Sequence, residues 1–155
     1  MRSIRLTVRS DIVAIAYDES RDAYTSITLA SGETPAIYTF GEEQATYRET
    51  INLDNGVRIT THTLAFSFDK MDADARKALC EIATASLCGL VAVVTTENND
   101  TLLVGYSREM AGERPLRLAA SDASTGAKQT DPGTVNLALE SCDTAPARTF
   151  TGNFG

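Results

Sequence analysis

Alternation of apolar and polar residues runs through most of the chain. In "SIRLTVR", Ile4, Leu6 and Val8 fall on one side of an extended backbone and Arg5, Thr7 and Arg9 on the other, the period of a half-buried strand. "DIVAIAY" is apolar at both parities, which predicts a strand covered on two faces, and "TSITLA" adds a weaker strand before the break "SGETP". Residues 1–35 therefore read as strands and turns.

A long hairpin follows. "QATYRETINL" places Ala45, Tyr47, Ile51 and Leu53 in phase, and Asp54-Asn55-Gly56 supplies residues that tolerate positive φ. The return strand "VRITTHTLAFSF" changes phase: Val57 and Ile59 are odd-numbered, whereas Leu64, Phe66 and Phe68 are even. Around Thr60–Thr63 this predicts either a bulge or a strand that leaves one packing partner for another, such as a second sheet or a neighbouring chain.

The period lengthens at "DKMDADARKALCEIATAS", predicting a helix over about 70–88. Asp69 is its expected cap, Asp72 and Asp74 reinforce the first turn, and Gly89 is a natural stop. Met71, Ala75, Leu79, Ile82 and Ser86 form a stripe that Ala73, Cys80, Ala83 and Leu87 widen, a face broad enough for cover on two sides or tight packing on one sheet.

"GLVAVVTTENNDTLLVGYS" reads as a second hairpin turning at Glu97–Asp100, with Leu90–Val94 dense enough for a central strand. Residues 107–133 break the pattern. Only "PLRLA" reads as a strand there, and so long an irregular connection is expected to be an arm with a use. After a turn at Asp131-Pro132-Gly133, "TVNLALES" alternates Val135, Leu137 and Leu139 as the expected last strand, leaving residues 141–155 as a C-terminal tail. The fold class predicted is mainly β (α+β): an antiparallel sandwich or barrel of two long hairpins with one flanking helix.

Length and charge restrict the function. The 155 residues, 43% of them hydrophobic, suit a single domain, 1–155, with 1–35 as a strand-rich N-terminal extension. No apolar run approaches the roughly 20 residues of a membrane-spanning helix, and "MRSIRLTVRS" has no apolar block of a secretory signal. A net charge of -7 argues against a nucleic-acid grip, which needs clustered Lys and Arg. Cys80 and Cys88, about 12 Å apart along one helix, are too distant to bridge. With Cys142 they are expected as reduced packing residues.

Candidate chemistry is sparse. His62, the only histidine, stands in a Thr-rich strand with no Cys, Asp or Glu at ligand spacing, so it is read as structural. Glu42-Glu43 reads as a solvated turn. "ENND" lacks the ligand order of a calcium loop, and "STGAK" lacks the rest of a phosphate loop. No cofactor, metal or catalytic residue is expected.

The order of parts is more specific than any single residue. A long hairpin, one helix directly after it, a second hairpin, a polar arm and a terminal strand, over residues 37–152, resemble bacteriophage tail-tube proteins and their relatives in contractile injection and type VI secretion tubes. The resemblance lies in "ATYRETINLDNGVRITTHTLAFSFDKMDADARKAL", "LVAVVTTENNDTLLVGYSREMAGERPLRLAASDASTGAK" and "VNLALESCDTAPARTFTG", which are similar to tail-associated proteins of phages and prophages of gut Bacteroidetes.

That resemblance implies a non-enzymatic virion protein, made in the host cytoplasm, that assembles with itself into stacked hexameric rings. Hairpins would line a continuous barrel with the helix outside, other tail proteins would be partners, and DNA would pass as non-specific cargo with no membrane involved. Segment 1–35 is a departure that leaves a tail terminator or head–tail connector as alternatives. A monomeric β-sandwich binding module and an acid-based enzyme are the other classes left open. The interface residues expected are Thr60, His62, Met110, Arg114, Leu116, Phe150 and Phe154.

Overall fold

A computed structural model describes residues 1–70, 72–109, 114–125 and 133–154. Met71, Met110 and the turn residues Asp131 and Pro132 lie outside that set. The chain is mainly β. In order it forms β1 (Ser3–Val8), β2 (Ile12–Asp18), β3 (Ala23–Leu29), β4 (Ala36–Thr39), β5 (Ala45–Asp54), β6 (Val57–Phe68), α1 (Ala73–Cys88), β7 (Leu90–Thr95), β8 (Thr101–Val104), β9 (Arg117–Ser124), β10 (Thr134–Asp143) and β11 (Arg148–Phe154).

The strands make two sheets. One has seven strands in the order β2-β3-β11-β8-β7-β1-β4, and the other has four, β5-β6-β10-β9. The main core draws Ile4 and Leu6 from β1, Ala92 and Val94 from β7, Leu64 and Phe66 from β6, Val135, Leu137 and Leu139 from β10, and Ile82 from the helix. The second core packs Val91 and Val93 with Tyr24, Ile27, Leu103 and Phe150. β7 is thus buried on both faces, the reason its sequence is an uninterrupted apolar run.

The long hairpin forms as its pattern predicts, but without a bulge. β6 pairs with β5 from Ala45↔Phe66 to Asp54↔Val57 and with β10 from Val135↔Phe68 to Asp143↔Thr60, both in unbroken register. The even-numbered residues Thr60, His62, Leu64 and Phe66 stay buried throughout. Val57 and Ile59 sit on the opposite face, in the part of the hairpin that projects past the core. The change of phase marks where the body of the protein ends.

The helix starts later than the pattern suggested. Asp72 is the cap, its side chain accepting the Ala75 N–H at 2.9 Å, and Asp69 lies upstream, where it accepts the Gln44 amide instead. Gly89, at φ 87°, ends it. Ala75, Ala78, Ile82 and Ser86 are the buried stripe. Ala73, Cys80 and Leu87, expected to widen it, face outward, so the chain itself covers the helix on one side only. All three cysteines are free and exposed, which corrects their reading as packing residues.

Other corrections concern the margins. β2 is an exposed edge strand, with Val13 at 69% exposure, and not one covered on two faces; only its start, Ile12, is buried. Residues 1–35 are woven into the body, since β1 lies between β4 and β7. β4 had no signal beyond its short apolar pair. Part of the expected irregular arm is β9, which carries the expected "PLRLA" strand on to Ser124 and pairs with β10. β10 is not the last strand, because the tail contributes β11. That strand lies parallel to β3 and antiparallel to β8, so the sheet is not purely antiparallel. The approach of β11 to β3 requires glycine at 152, where any Cβ would collide with the Thr25 carbonyl.

Candidate assembly surface

The four-stranded sheet has one face in the core and one in solvent, set by the two-residue period of its strands. Cross-strand register places Thr46, Arg48 and Thr50 of β5 beside Ala65, Thr63 and Thr61 of β6, and these beside Ala138, Glu140 and Cys142 of β10. Asn136 and Asp122 extend the same face onto β9. Its surface is small and polar. Among the described residues its charges are Arg48 and Arg117, the latter opposite Glu140, against Asp54, Asp122 and Glu140, and no lysine is present. Arg117, at the end of this face, donates from Nη1 to the Leu87 carbonyl at the helix end, 2.9 Å.

Among the described residues, both edges of this sheet are open. β5 offers ten residues and β9 eight, and nearly all are exposed. The seven-stranded sheet treats its edges differently: β2 carries two register shifts, and β4 has only four residues. Bulges and shortness are the usual ways to blunt an edge, and β5 has neither. Every pairing in the four-stranded sheet is antiparallel, so β5 and β9 run in opposite directions. A second copy rotated about an axis along the strands would present its β5 antiparallel to the first copy's β9.

A half-buried polar cluster around the buried His62 anchors the base of the long hairpin. The Tyr47 hydroxyl donates to Glu49 Oε1 at 2.5 Å and lies 2.9 Å from His62 Nδ1, while the two rings stack at 6°. His62 Nε2 donates to the Ala145 carbonyl at 3.2 Å, and the Ala147 N–H donates to Glu49 Oε1 at 2.8 Å. Burial, reinforced by the neighbouring Glu49 carboxylate, pushes the Tyr47 hydroxyl well above the usual tyrosine range, so it stays a neutral donor. The cluster ties the hairpin to the β10–β11 connection. Tyr47→Phe should lower stability by about 1–3 kcal/mol, read as a shift in the urea midpoint with the slope unchanged.

A second polar group closes the other side of that connection. Arg148 pairs with Asp22 at 2.8 Å and with Glu109, and Arg108 lies over the Tyr17 ring at 4.1 Å. The bond from Arg148 holds the Glu109 carboxyl below its ordinary range. These contacts fix the start of residues 107–133 against the β2–β3 hairpin.

The residues expected at an interface are scattered by the fold, and most are internal. His62 and Thr60 are buried in their own chain, and the Thr60 hydroxyl has no hydrogen-bond partner among the described residues. Leu116 is wholly buried and bridges to Leu90. Arg114 is half-buried, its carbonyl accepting from Ser141 Oγ at 2.6 Å. Phe150 lies in the second core, with Phe154 edge-on to it at 6.4 Å; both anchor the tail within the chain. Met110 is outside the described residues. The surface features the residue list missed are Ile51, Leu53 and Val57, all more than half exposed. Their hydrophobicity at a hairpin tip was the signal.

Among the described residues, no group of three or more His, Cys, Asp or Glu is placed to hold a metal ion, and no helix is long and apolar enough to cross a membrane. No protein family matches the chain, nor does any curated protein or solved structure.

Proposed function

We propose that this protein is a structural subunit that closes into a ring by pairing β5 of one copy with β9 of the next, as a tail-tube or tail-connector protein of phage type would. The observation that carries the reading is the pair of long open edges on one sheet, β5 in unbroken register and β9 with one register shift, beside a second sheet whose edges are a twice-shifted strand and a four-residue strand. Ring closure would satisfy the free N–H and C=O groups of both edges and remove an aggregation hazard. The hexameric symmetry rests on the resemblance alone.

In such a ring the small polar face of the four-stranded sheet lines the channel. Two arginines against three acids, and a chain charge of -7, give a wall that repels phosphates and lets DNA slide as cargo. A monomeric β-sandwich is the second reading, favoured by the fact that both cores are complete within one chain. Sedimentation and negative-stain images of purified protein at high micromolar concentration separate the two. Rings with a central hole are expected, with no salt-sensitive binding of duplex DNA; a strict monomer would overturn the ring.

A further inference from the structure

The end of β10 leaves a notch beside the long hairpin. Register between β10 and β6 stops at Asp143↔Thr60, and the chain bends at Thr144, so among the described residues Val57, Arg58 and Ile59 of β6 run on with no strand on that side. A cavity of about 300 Å³ opens there between these three residues, residues 142–144 and Arg114.

Two guanidinium groups line it. Arg58 Nε donates to the Thr144 carbonyl at 2.9 Å, which engages one of its N–H groups and ties the side chain to the far wall. Arg114 is held through its backbone carbonyl, which accepts from Ser141 Oγ at 2.6 Å, while its Nε is buried with no hydrogen-bond partner among the described residues. A buried guanidinium N–H without an acceptor is costly, and such a group in a cavity wall marks a place for one. The acid in the lining does not supply it. Asp143 Oδ1 accepts from Ser107 Oγ at 2.7 Å and from the Thr144 N–H at 2.6 Å, and neither arginine forms an ion pair among the described residues. Val57 and Ile59 add apolar surface, and Cys142 is exposed at the opening.

We propose that this notch binds a small organic carboxylate, its oxygens taken by the Arg114 and Arg58 guanidinium groups and its alkyl stem lying on Val57 and Ile59. A planar guanidinium matches a carboxylate fork to fork, and a cavity of this size falls at the lower end of small-molecule sites. The lining comes from one chain, so the site stands whether or not the ring does.

Alkylation of Cys142 by iodoacetamide reads occupancy, with the exposed Cys80 and Cys88 of the helix as internal references. Hexanoate is the probe, hexanamide its neutral match, and inorganic phosphate an anion without a stem. Millimolar hexanoate should slow Cys142 alkylation about tenfold, by blocking access, and leave the two helix cysteines unchanged. Hexanamide should not protect, and phosphate should protect less than hexanoate. In Arg114→Met the protection should vanish while the urea midpoint holds or rises, because the change removes a buried donor that lacks an acceptor. No protection by hexanoate, equal protection by hexanamide or phosphate, or protection that survives Arg114→Met would overturn the site. So would a lowered midpoint in Arg114→Met, which would give the guanidinium a structural role in its own chain.

Discussion

Proline at position 121 and proline at position 122 should give opposite results. Ser121 and Asp122 are neighbours in β9, an edge strand paired on one side only, with β10. In an antiparallel ladder successive residues direct their N–H and C=O groups to opposite sides. One of the two prolines therefore removes a bond to β10 and destabilises the subunit. The other removes an N–H that points to the open edge; it should leave the fold intact and abolish rings, since proline cannot donate across the new pairing. Circular dichroism with sedimentation reads both variants. Two folded variants that still form rings would exclude β9 as the joining edge.

Leu116→Ala should destabilise the isolated subunit by about 2–5 kcal/mol, the usual cost of emptying a fully buried leucine site. Leu116 has no exposed surface, packs in the main core, and is held by paired backbone bonds with Leu90 at 2.8 and 2.9 Å. An arm residue awaiting a neighbour would behave in the opposite way, losing assembly and keeping its melting temperature. Thermal denaturation of dilute protein, where no ring persists, distinguishes these. A shift under about 0.5 kcal/mol, the range of ordinary surface changes, would return Leu116 to the surface.

The reversal at Leu116 shows where local pattern stops being informative. In "PLRLAASDAS" only the first five residues read as a strand, and the small and polar residues after them read as irregular. It becomes a strand because β10 is a long, strongly alternating partner whose outer edge needs covering, and small side chains suffice on an exposed edge. The exposure of β2 has the same origin in reverse. "DIVAIAY" looks like a central strand because its apolar residues occupy both parities, yet no strand of the described residues lies beyond it.

Several elements needed no tertiary information. Ile4 and Leu6, the alternation of Val135, Leu137 and Leu139, the Asn55-Gly56 turn and the Gly89 helix stop are local physics: a two-residue period and residues that accept positive φ. The sequence by itself thus determined the strand-rich class, the long hairpin and the place of the one described helix. Tertiary structure alone decided which strands share a sheet, that Phe150 and Leu116 point inward, and that β5 and β9 are left as open edges. Strand partners far apart in the chain leave no periodic trace, because alternation records which face is buried and says nothing of which neighbour completes the ladder.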